Sequence, residues 1–266
     1  MNVAASQGLV ARPIPAFDDN YIWLLTRDGY GGCAVVDPGD EDPVIDRLHS
    51  EGLTLDAILI THKHGDHVGG IAGLKAEWPD ARVFGPAGEP IRRLEQRLAG
   101  GDSVVLDGLG ARFEVIDVPG HTEGHIAYFG DGRLFCGDTM FAGGCGRVFS
   151  GTHEQLSDSL QRLGRLPAET KVYCAHEYTL ANLGFAAWVE PESTALMART
   201  ERDREARRRG DPTVPSLLAD ELATNPFMRT DDPVVVAAAA RWSGQALDDR
   251  AAVFRALRTW KDQEYD

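Results

Sequence analysis

The chain has 266 residues, enough for one large domain or for a domain with an appendage, and its hydrophobic fraction of 43% is ordinary for a globular protein. Its formal net charge of −14 argues against a nucleic-acid partner, because phosphate binding needs clustered Lys and Arg. A transmembrane run, a signal-peptide pattern and CxxC-spaced cysteines are all missing from the sequence, which predicts a cytoplasmic protein with no membrane partner.

Short β-rich runs recur through the first two-thirds of the chain, separated by glycine, proline and aspartate. They cover residues 22–26, 34–36, 57–61, 82–84, 113–118, 126–129, 134–136 and 171–175. Helical patterns lie between some of them, at residues 43–50, 69–76 and 152–163. The mixture predicts an α/β fold in which sheets are covered by helices.

The pattern changes after about Tyr178. Long helical stretches follow at residues 192–209, 233–242 and 245–262, and the strand pattern disappears. We therefore predict two domains, residues 1–177 and a helical domain of residues 178–266.

Four ligand-type side chains lie within six residues, directly after the apolar strand at residues 55–60. They are His62, His64, Asp66 and His67. At a strand end His62 and His64 project to the same side, and a turn at Gly65 brings the other two toward a neighbouring position. The alternative is a polar surface loop with scattered histidines. Imidazole and carboxylate ligands without a nearby cysteine favour an open, catalytic metal site.

One loop cannot complete two coordination spheres, so further ligands are expected at other strand ends. His121, Asp138 and His176 each follow a β-rich run. Taken singly, each has a structural alternative as a turn cap or a core histidine. The repeated order of strand and then ligand favours the metal role, with His125 in supporting hydrogen bonds.

An HxHxDH loop, a later His, a later Asp and a final His occur in the order seen in the metallo-β-lactamase superfamily, which this chain closely resembles. Within that superfamily it resembles the hydroxyacylglutathione hydrolases over nearly its whole length. The segments that carry this resemblance are residues 14–21, 137–139, 174–179, 212–216 and 225–229. The implied fold is a four-layer αβ/βα sandwich with a C-terminal helical domain.

The resemblance also implies the roles of individual residues. One metal takes His62, His64 and His121, the other takes Asp66, His67 and His176, and Asp138 bridges them, with Asp66 and Asp138 catalytic. Glutathione is bound by Arg147, Tyr178, Arg258 and Lys261. Two residues depart from the family pattern: Arg147 replaces a common Lys, and Phe149 replaces a Tyr. From spacing alone, Arg258 and Lys261 would be ordinary solvated helix charges.

The implied reaction is hydrolysis of S-(2-hydroxyacyl)glutathione thioesters by a hydroxide that bridges two divalent ions. S-D-lactoylglutathione would yield glutathione and D-lactate, the last step of methylglyoxal detoxification, in a monomeric enzyme. Zinc is the expected metal, with iron or manganese as alternatives. Metal coordination lowers the pKa of water from 15.7 to about 7, and a thiolate leaving group, with a conjugate-acid pKa near 8.5, needs no dedicated general acid.

Other functions are compatible with parts of the sequence. A persulfide dioxygenase would use a single iron, so Asp66, His67 and His176 together argue against it. The glutathione-type tail disfavours a β-lactam or lactone hydrolase, and the acidic charge disfavours an RNA-processing nuclease. A metal-binding scaffold or sensor without turnover is the alternative outside enzymes, and metal-dependent turnover would distinguish it.

Overall fold

The computed structural model describes residues 8–265, which fall into two compact units. The first unit contains the described residues up to Asp117 together with Gly124–Asp131. The second contains Val118–Glu123 and the described residues from Gly132 onward. Within residues 8–265 we find no helix that is long and apolar enough to cross a bilayer.

The first unit is built on a mixed sheet. Its strands are β1 (Val10–Ala16), β2 (Asn20–Thr26), β3 (Gly32–Val36), β4 (Thr54–Leu59), β5 (Arg82–Pro86), β6 (Gln96–Leu98), β7 (Ser103–Leu106), β8 (Ala111–Asp117) and β9 (Ile126–Gly130), and its helices are α1 (Asp42–Glu51), α2 (Gly65–Val68) and α3 (Ile71–Glu77). Strands β1 to β6 pair in chain order, antiparallel from β1 to β3 and parallel from β3 to β6. Strands β7, β8 and β9 form an antiparallel ribbon.

The core of the first unit lies against this sheet. Strand β2 is buried except at its last residue, as its near-continuous apolar sequence predicts for a strand covered on both faces. Val44 and Leu48 of α1 and Leu74 of α3 pack into the cluster that contains Ile58 of β4. This packing fixes the ends of β3 and β4, from which the ligand-rich loop leaves the sheet.

The second unit combines short strands with most of the helices. Its elements are β10 (Arg133–Gly137), β11 (Met140–Phe141), β12 (Gly144–Cys145), β13 (Lys171–Cys174), β14 (Ser216–Leu217), α4 (His153–Leu163), α5 (Thr179–Val189), α6 (Thr194–Arg208), α7 (Leu218–Thr224), α8 (Pro233–Ser243), α9 (Arg250–Glu264) and a 3-10 helix at Pro226–Met228. Strand β10 pairs in parallel with β13, and β11 and β12 form a small hairpin.

Side-chain caps define where the helices of the second unit begin. Thr152 and Gln155 form a reciprocal capping box on α4. Ser193, Asp232 and Asp249 each accept a hydrogen bond from a backbone N–H of the helix that follows. Between the helices, the ring of Phe227 lies 5.8 Å from that of Phe185 and 5.6 Å from that of Phe254. These aromatic contacts hold α5 and α9 around the 3-10 helix.

The predicted α/β class with a C-terminal helical region is confirmed. The expectation that strands end after Tyr178 is wrong at one place, because Ser216–Leu217 pairs antiparallel with β13. Two residues are too few to show strand periodicity, and the backbone of β13 supplies their partners. The predicted boundary near residue 177 stays a prediction.

Candidate metal centre

His62 and His64 follow β4 and lie side by side. The Nε2 atom of His62 is 3.0 Å from the Nδ1 atom of His64, so the two imidazoles do project to the same side as their spacing predicts. His62 is buried, and its ring stacks on that of His125 with 4.5 Å between centroids. Two ring nitrogens this close can share one cation, because metal–nitrogen bonds are about 2.0–2.1 Å long.

The carboxylate of Asp37 lies beside the imidazole of His67. This buried carboxylate follows β3, and its Oδ2 atom lies 3.1 Å from Nδ1 of His67. It also accepts hydrogen bonds from the backbone N–H (2.8 Å) and the hydroxyl (2.7 Å) of Thr61. The Nε2 atom of His67 lies 3.4 Å from Oδ2 of Asp66.

Asp66 is fixed by two neighbours that the sequence did not point to. The side-chain amide of the buried Asn20 donates to Oδ2 of Asp66 at 3.0 Å. A Cβ atom at Gly39 would lie 1.9 Å from the backbone oxygen of Asp66, so only glycine allows this approach. Of the supporting residues, Asp37 follows a strand as the predicted ligands do, so the same sequence pattern could have identified it. The side chain of Asn20 is not a typical metal ligand, so no such pattern identifies it.

Asp138 faces two different imidazoles with its two oxygens. Its Oδ2 atom lies 3.5 Å from Nε2 of His121, and its Oδ1 atom lies 3.5 Å from Nε2 of His176. Two ligands of one tetrahedral ion at bond lengths of about 2.1 Å are about 3.4 Å apart. The spacing therefore suits a carboxylate that is shared by two ions.

His121 is held by the backbone of two loops. Its Nδ1 atom donates to the carbonyl oxygen of Arg147 at 2.7 Å, which leaves Nε2 as the ligand atom. A Cβ at the preceding Gly120 would lie 2.4 Å from Cα of Leu156 in α4, and one at Gly146 would lie 2.0 Å from the backbone oxygen of Asp138. Both glycines are required by close packing around His121 and Asp138.

His176 follows β13 and is sandwiched by aromatic rings. Its imidazole stacks on Tyr178 with 4.7 Å between centroids and an 8° interplanar angle, and Phe141 meets it edge-on at 5.7 Å. Burial raises the pKa of the nearby Cys174 thiol to about 12. Formation of the thiolate is therefore disfavoured at neutral pH.

The seven predicted metal ligands are divided between the two units. His62, His64, Asp66 and His67 belong to the first unit, and His121, Asp138 and His176 belong to the second. Their assignment to two ions stays a prediction. The donor set is imidazole and carboxylate throughout, which fits zinc, iron or manganese.

The four predicted glutathione-binding residues all belong to the second unit. Arg258 is 1% exposed; it donates to the carbonyl of Cys145 at 3.1 Å and to Oδ1 of Asp262 at 2.9 Å. The Nε atom of Arg147 lies 3.5 Å from the same oxygen of Asp262. Lys261 is also buried, with its ammonium 5.9 Å above the ring of Tyr265.

Arg258 and Lys261 are therefore not ordinary solvated helix charges. Asp262, which joins the two guanidinium groups, was not predicted as part of the site. Tyr178 is partly exposed beside His176, and Phe149 is 65% exposed with its ring edge-on to His121 at 5.2 Å. The assignment of Arg147, Tyr178, Arg258 and Lys261 to glutathione stays a prediction.

Two family models match the chain end to end. Residues 16–176 match the metallo-beta-lactamase superfamily, and residues 177–264 match the hydroxyacylglutathione hydrolase C-terminus. A hydroxyacylglutathione hydrolase from Alkalilimnicola ehrlichii is 56% identical over 94% of this chain and 97% of that protein. One from Photobacterium profundum is 50% identical over 96% of this chain and 99% of that protein.

A solved structure shares the fold. The crystal structure of ETHE1 from Myxococcus xanthus superposes with a TM-score of 0.66 over 96% of this chain and 93% of that one, at 24% sequence identity. At that identity the likeness concerns the fold alone. It agrees with the superfamily match and confirms the predicted fold class.

Proposed function

This chain belongs to the hydroxyacylglutathione hydrolases of the metallo-β-lactamase superfamily, and we propose that it hydrolyses S-(2-hydroxyacyl)glutathione thioesters. S-D-lactoylglutathione is the substrate we expect, with glutathione and D-lactate as products. The observation that carries the proposal is the 56% identity to a hydroxyacylglutathione hydrolase over nearly the full length of both chains. Removal of reactive 2-oxoaldehydes in the cytoplasm is the accompanying role.

We assign one divalent ion to His62, His64 and His121, a second to Asp66, His67 and His176, and a bridging position to Asp138. The assignment is supported by the equal 3.5 Å distances from the two oxygens of Asp138 to two imidazoles. Zinc is the expected ion, and iron or manganese also suit this donor set. When bound, such ions supply a hydroxide nucleophile at neutral pH and polarise the substrate carbonyl.

Residues that contact the proposed ligands hold them in position for that chemistry. The carbonyl of Arg147 holds His121 in the tautomer that presents Nε2 for coordination, and the carboxylate of Asp37 lies 3.1 Å from Nδ1 of His67. Asn20 orients Asp66 by its amide. Because these contacts exist in the folded protein before substrate arrives, little reorganisation is needed during the reaction.

The substrate brings two carboxylates and one ammonium to a protein with a net charge of −14, so local cations must attract it. Arg147, Arg258 and Lys261 of the helical region are the residues we assign to this task, with Tyr178 beside them. Asp262 keeps the two guanidinium groups oriented. The glutathione thiolate then leaves without a general acid, because its conjugate acid has a pKa near 8.5.

The persulfide dioxygenase alternative is disfavoured by the helical region. Residues 177–264 match the hydroxyacylglutathione hydrolase C-terminus over almost the whole segment. The presence of Asp66, His67 and His176 together in the sequence also exceeds what a single iron requires.

The test is loss of the thioester absorbance of S-D-lactoylglutathione with purified protein, before and after chelation and with Zn(II), Fe(II) or Mn(II) restored. We expect fast, chelator-sensitive hydrolysis that Asp138→Ala abolishes. Arg258→Ala should raise KM, whereas Arg255→Ala, on the same helix but paired with Glu154, should not. No hydrolysis by fully metallated protein would refute the proposal, and oxygen uptake with glutathione persulfide would be measured next.

A further inference from the structure

The β11–β12 hairpin, residues 140–145, is tethered at its tip by buried side chains of α5, of α7 and of the residue that follows α7. The backbone N–H of Gly143 donates to Oε2 of Glu221 at 2.8 Å. The amide of Asn225 donates to the carbonyl of Gly144 at 2.9 Å, and that of Asn182 donates to the carbonyl of Ala142 at 3.1 Å. The exposed fractions of Glu221, Asn225 and Asn182 are 0%, 0% and 2%. Three buried side chains thus satisfy the backbone of one short loop.

Glu221 is the centre of this network and carries a charge. Its Oε1 accepts from Arg199 at 2.6 Å and from Ser216 at 2.7 Å, and its Oε2 accepts from Asn225 at 3.1 Å as well as from Gly143. Arg199 is itself 3% exposed. Both carboxylate oxygens of this buried ion pair accept hydrogen bonds, which makes the arrangement rigid. Its desolvation costs free energy that apolar side chains at the same place would not cost.

The base of the same hairpin contacts proposed site residues. The carbonyl of Cys145 accepts from Arg258, and the carbonyl of Arg147, two residues further along, accepts from Nδ1 of His121. Gly146 lies between them and fits against the backbone of Asp138 with no space for a side chain. A shift of the hairpin therefore moves the acceptors for one proposed metal ligand and one proposed substrate cation together.

We propose that Glu221 is a positioning residue: through the β11–β12 hairpin it fixes the orientation of the His121 imidazole and of the Arg258 guanidinium. Its effect on the reaction is indirect, since it contacts neither. The inference rests on the proposed function for the identity of the metal and glutathione as ligands.

The test compares two isosteric changes of acids that bind the same arginine. In Glu221→Gln an NH₂ group can face the N–H of Gly143 and the amide of Asn225, so the hairpin loses an acceptor. Asp203→Asn changes the other carboxylate that binds Arg199. The carboxylate of Asp203 lies 3.4 Å from Nε of Arg199 and also accepts from Arg202, but it does not contact the hairpin. Urea unfolding of the metal-free proteins measures how much stability each change removes.

For zinc-loaded protein, chelator competition and calorimetry with glutathione are the readouts. We expect Glu221→Gln to weaken both zinc retention and glutathione affinity by about tenfold, the scale at which groups behind metal ligands act. Asp203→Asn should change both by less than about twofold. Asn182→Ala, which removes a single tether, should show a smaller loss in the same direction and serves if Glu221→Gln does not fold.

Equal losses in Glu221→Gln and Asp203→Asn, or wild-type zinc and glutathione binding in Glu221→Gln, would overturn the inference. If Glu221→Gln does not fold, unchanged binding in Asn182→Ala would overturn it in the same way. Turnover of S-D-lactoylglutathione by the wild-type protein is measured separately, and its failure concerns the proposed function. Zinc retention by the variants is read without turnover, so the two failures are distinguishable.

Discussion

Two imidazoles of the candidate centre lie beside oxygen atoms of different charge. Nδ1 of His67 meets the carboxylate of Asp37, whereas Nδ1 of His121 meets the uncharged carbonyl of Arg147. A carboxylate partner makes the imidazole a more basic ligand than a carbonyl partner does. The two histidines should therefore differ in how strongly they depend on the group behind them.

Asp37→Asn tests this dependence. The change keeps the shape of the side chain but removes the negative charge beside His67. It also removes one of the two oxygens that accept hydrogen bonds from Thr61. We expect zinc affinity to fall by about 10–100-fold. The measurement is competition for zinc with a chelator of known affinity. Asp56→Asn, at a carboxylate that accepts from the hydroxyl of Tyr30, is the matched control and should retain zinc normally.

His153, at the start of α4, should make stability depend on pH in a defined direction. Burial, and after it the guanidinium of Arg255, lowers the pKa of His153 from the usual 6.5. Below about pH 6.5 the unfolded chain therefore takes up a proton that the folded chain does not, so this contribution to stability is present at higher pH and lost as pH falls. The urea midpoint of unfolding should therefore fall less between pH 7.5 and pH 5.5 in His153→Gln than in the wild-type protein. An equal fall in both proteins would contradict this prediction.

At the scale of elements, the contact between the His121 loop and α4 depends on a missing side chain. Gly120 has φ +144°, and a Cβ there would lie 2.4 Å from Cα of Leu156. Gly120→Ala should lower the free energy of unfolding by about 2–3 kcal/mol, because backbone would have to move. It should also weaken zinc retention, because His121 is the next residue.

Gly132→Ala is the matched control for that change. Gly132 also has a positive φ, +68°, but has no atom within 4 Å of a Cβ. It should cost only the conformational strain of about 1 kcal/mol and leave zinc retention intact. If both alanines behave alike in urea unfolding and zinc retention, the steric explanation for Gly120 is wrong.

The long elements could be predicted from the sequence because their patterns are long enough to read. Strand β2 and helices α4 and α8 lie close to their predicted bounds. The two-residue strands β11, β12 and β14 could not be predicted, since two residues are too few to show a strand period, and β14 is defined only by its distant partner β13. Helix α5 was not predicted either, because its own residues are apolar on most sides and show no clear amphipathic period.

The candidate site shows the same division. The seven proposed ligands could be picked out from the sequence, because acids and imidazoles at strand ends are chemically conspicuous, and their role as ligands stays a prediction. The residues that orient them could not. Asn20 and Glu221 act through contacts made only in the folded chain, and nothing in their local sequence distinguishes them from other polar residues.

For the whole molecule, burial decides the reactivity of its four cysteines. All four are free and buried. Burial raises the pKa of Cys33 and Cys174 to about 12 and that of Cys145 to about 11, and it raises the pKa of Cys136 as well. At neutral pH almost no thiolate is present in the folded protein.

We therefore expect the native protein at pH 8 to resist a thiol reagent such as Ellman's reagent and the denatured protein to react at four sites. The rate of labelling in intermediate urea should follow global unfolding. Rapid modification of one thiol in the native protein would contradict the burial of that cysteine. Zinc-loaded and metal-free samples should be compared, since ligand binding slows unfolding.

Asp138 also bears on how such a centre can change over generations. Each of its oxygens faces a different imidazole at 3.5 Å, so both proposed ion positions depend on a single codon. Replacing His121 or His176 impairs one position, whereas replacing Asp138 impairs both at once. A descendant that came to need only one ion would be expected to lose histidines first and to keep this aspartate.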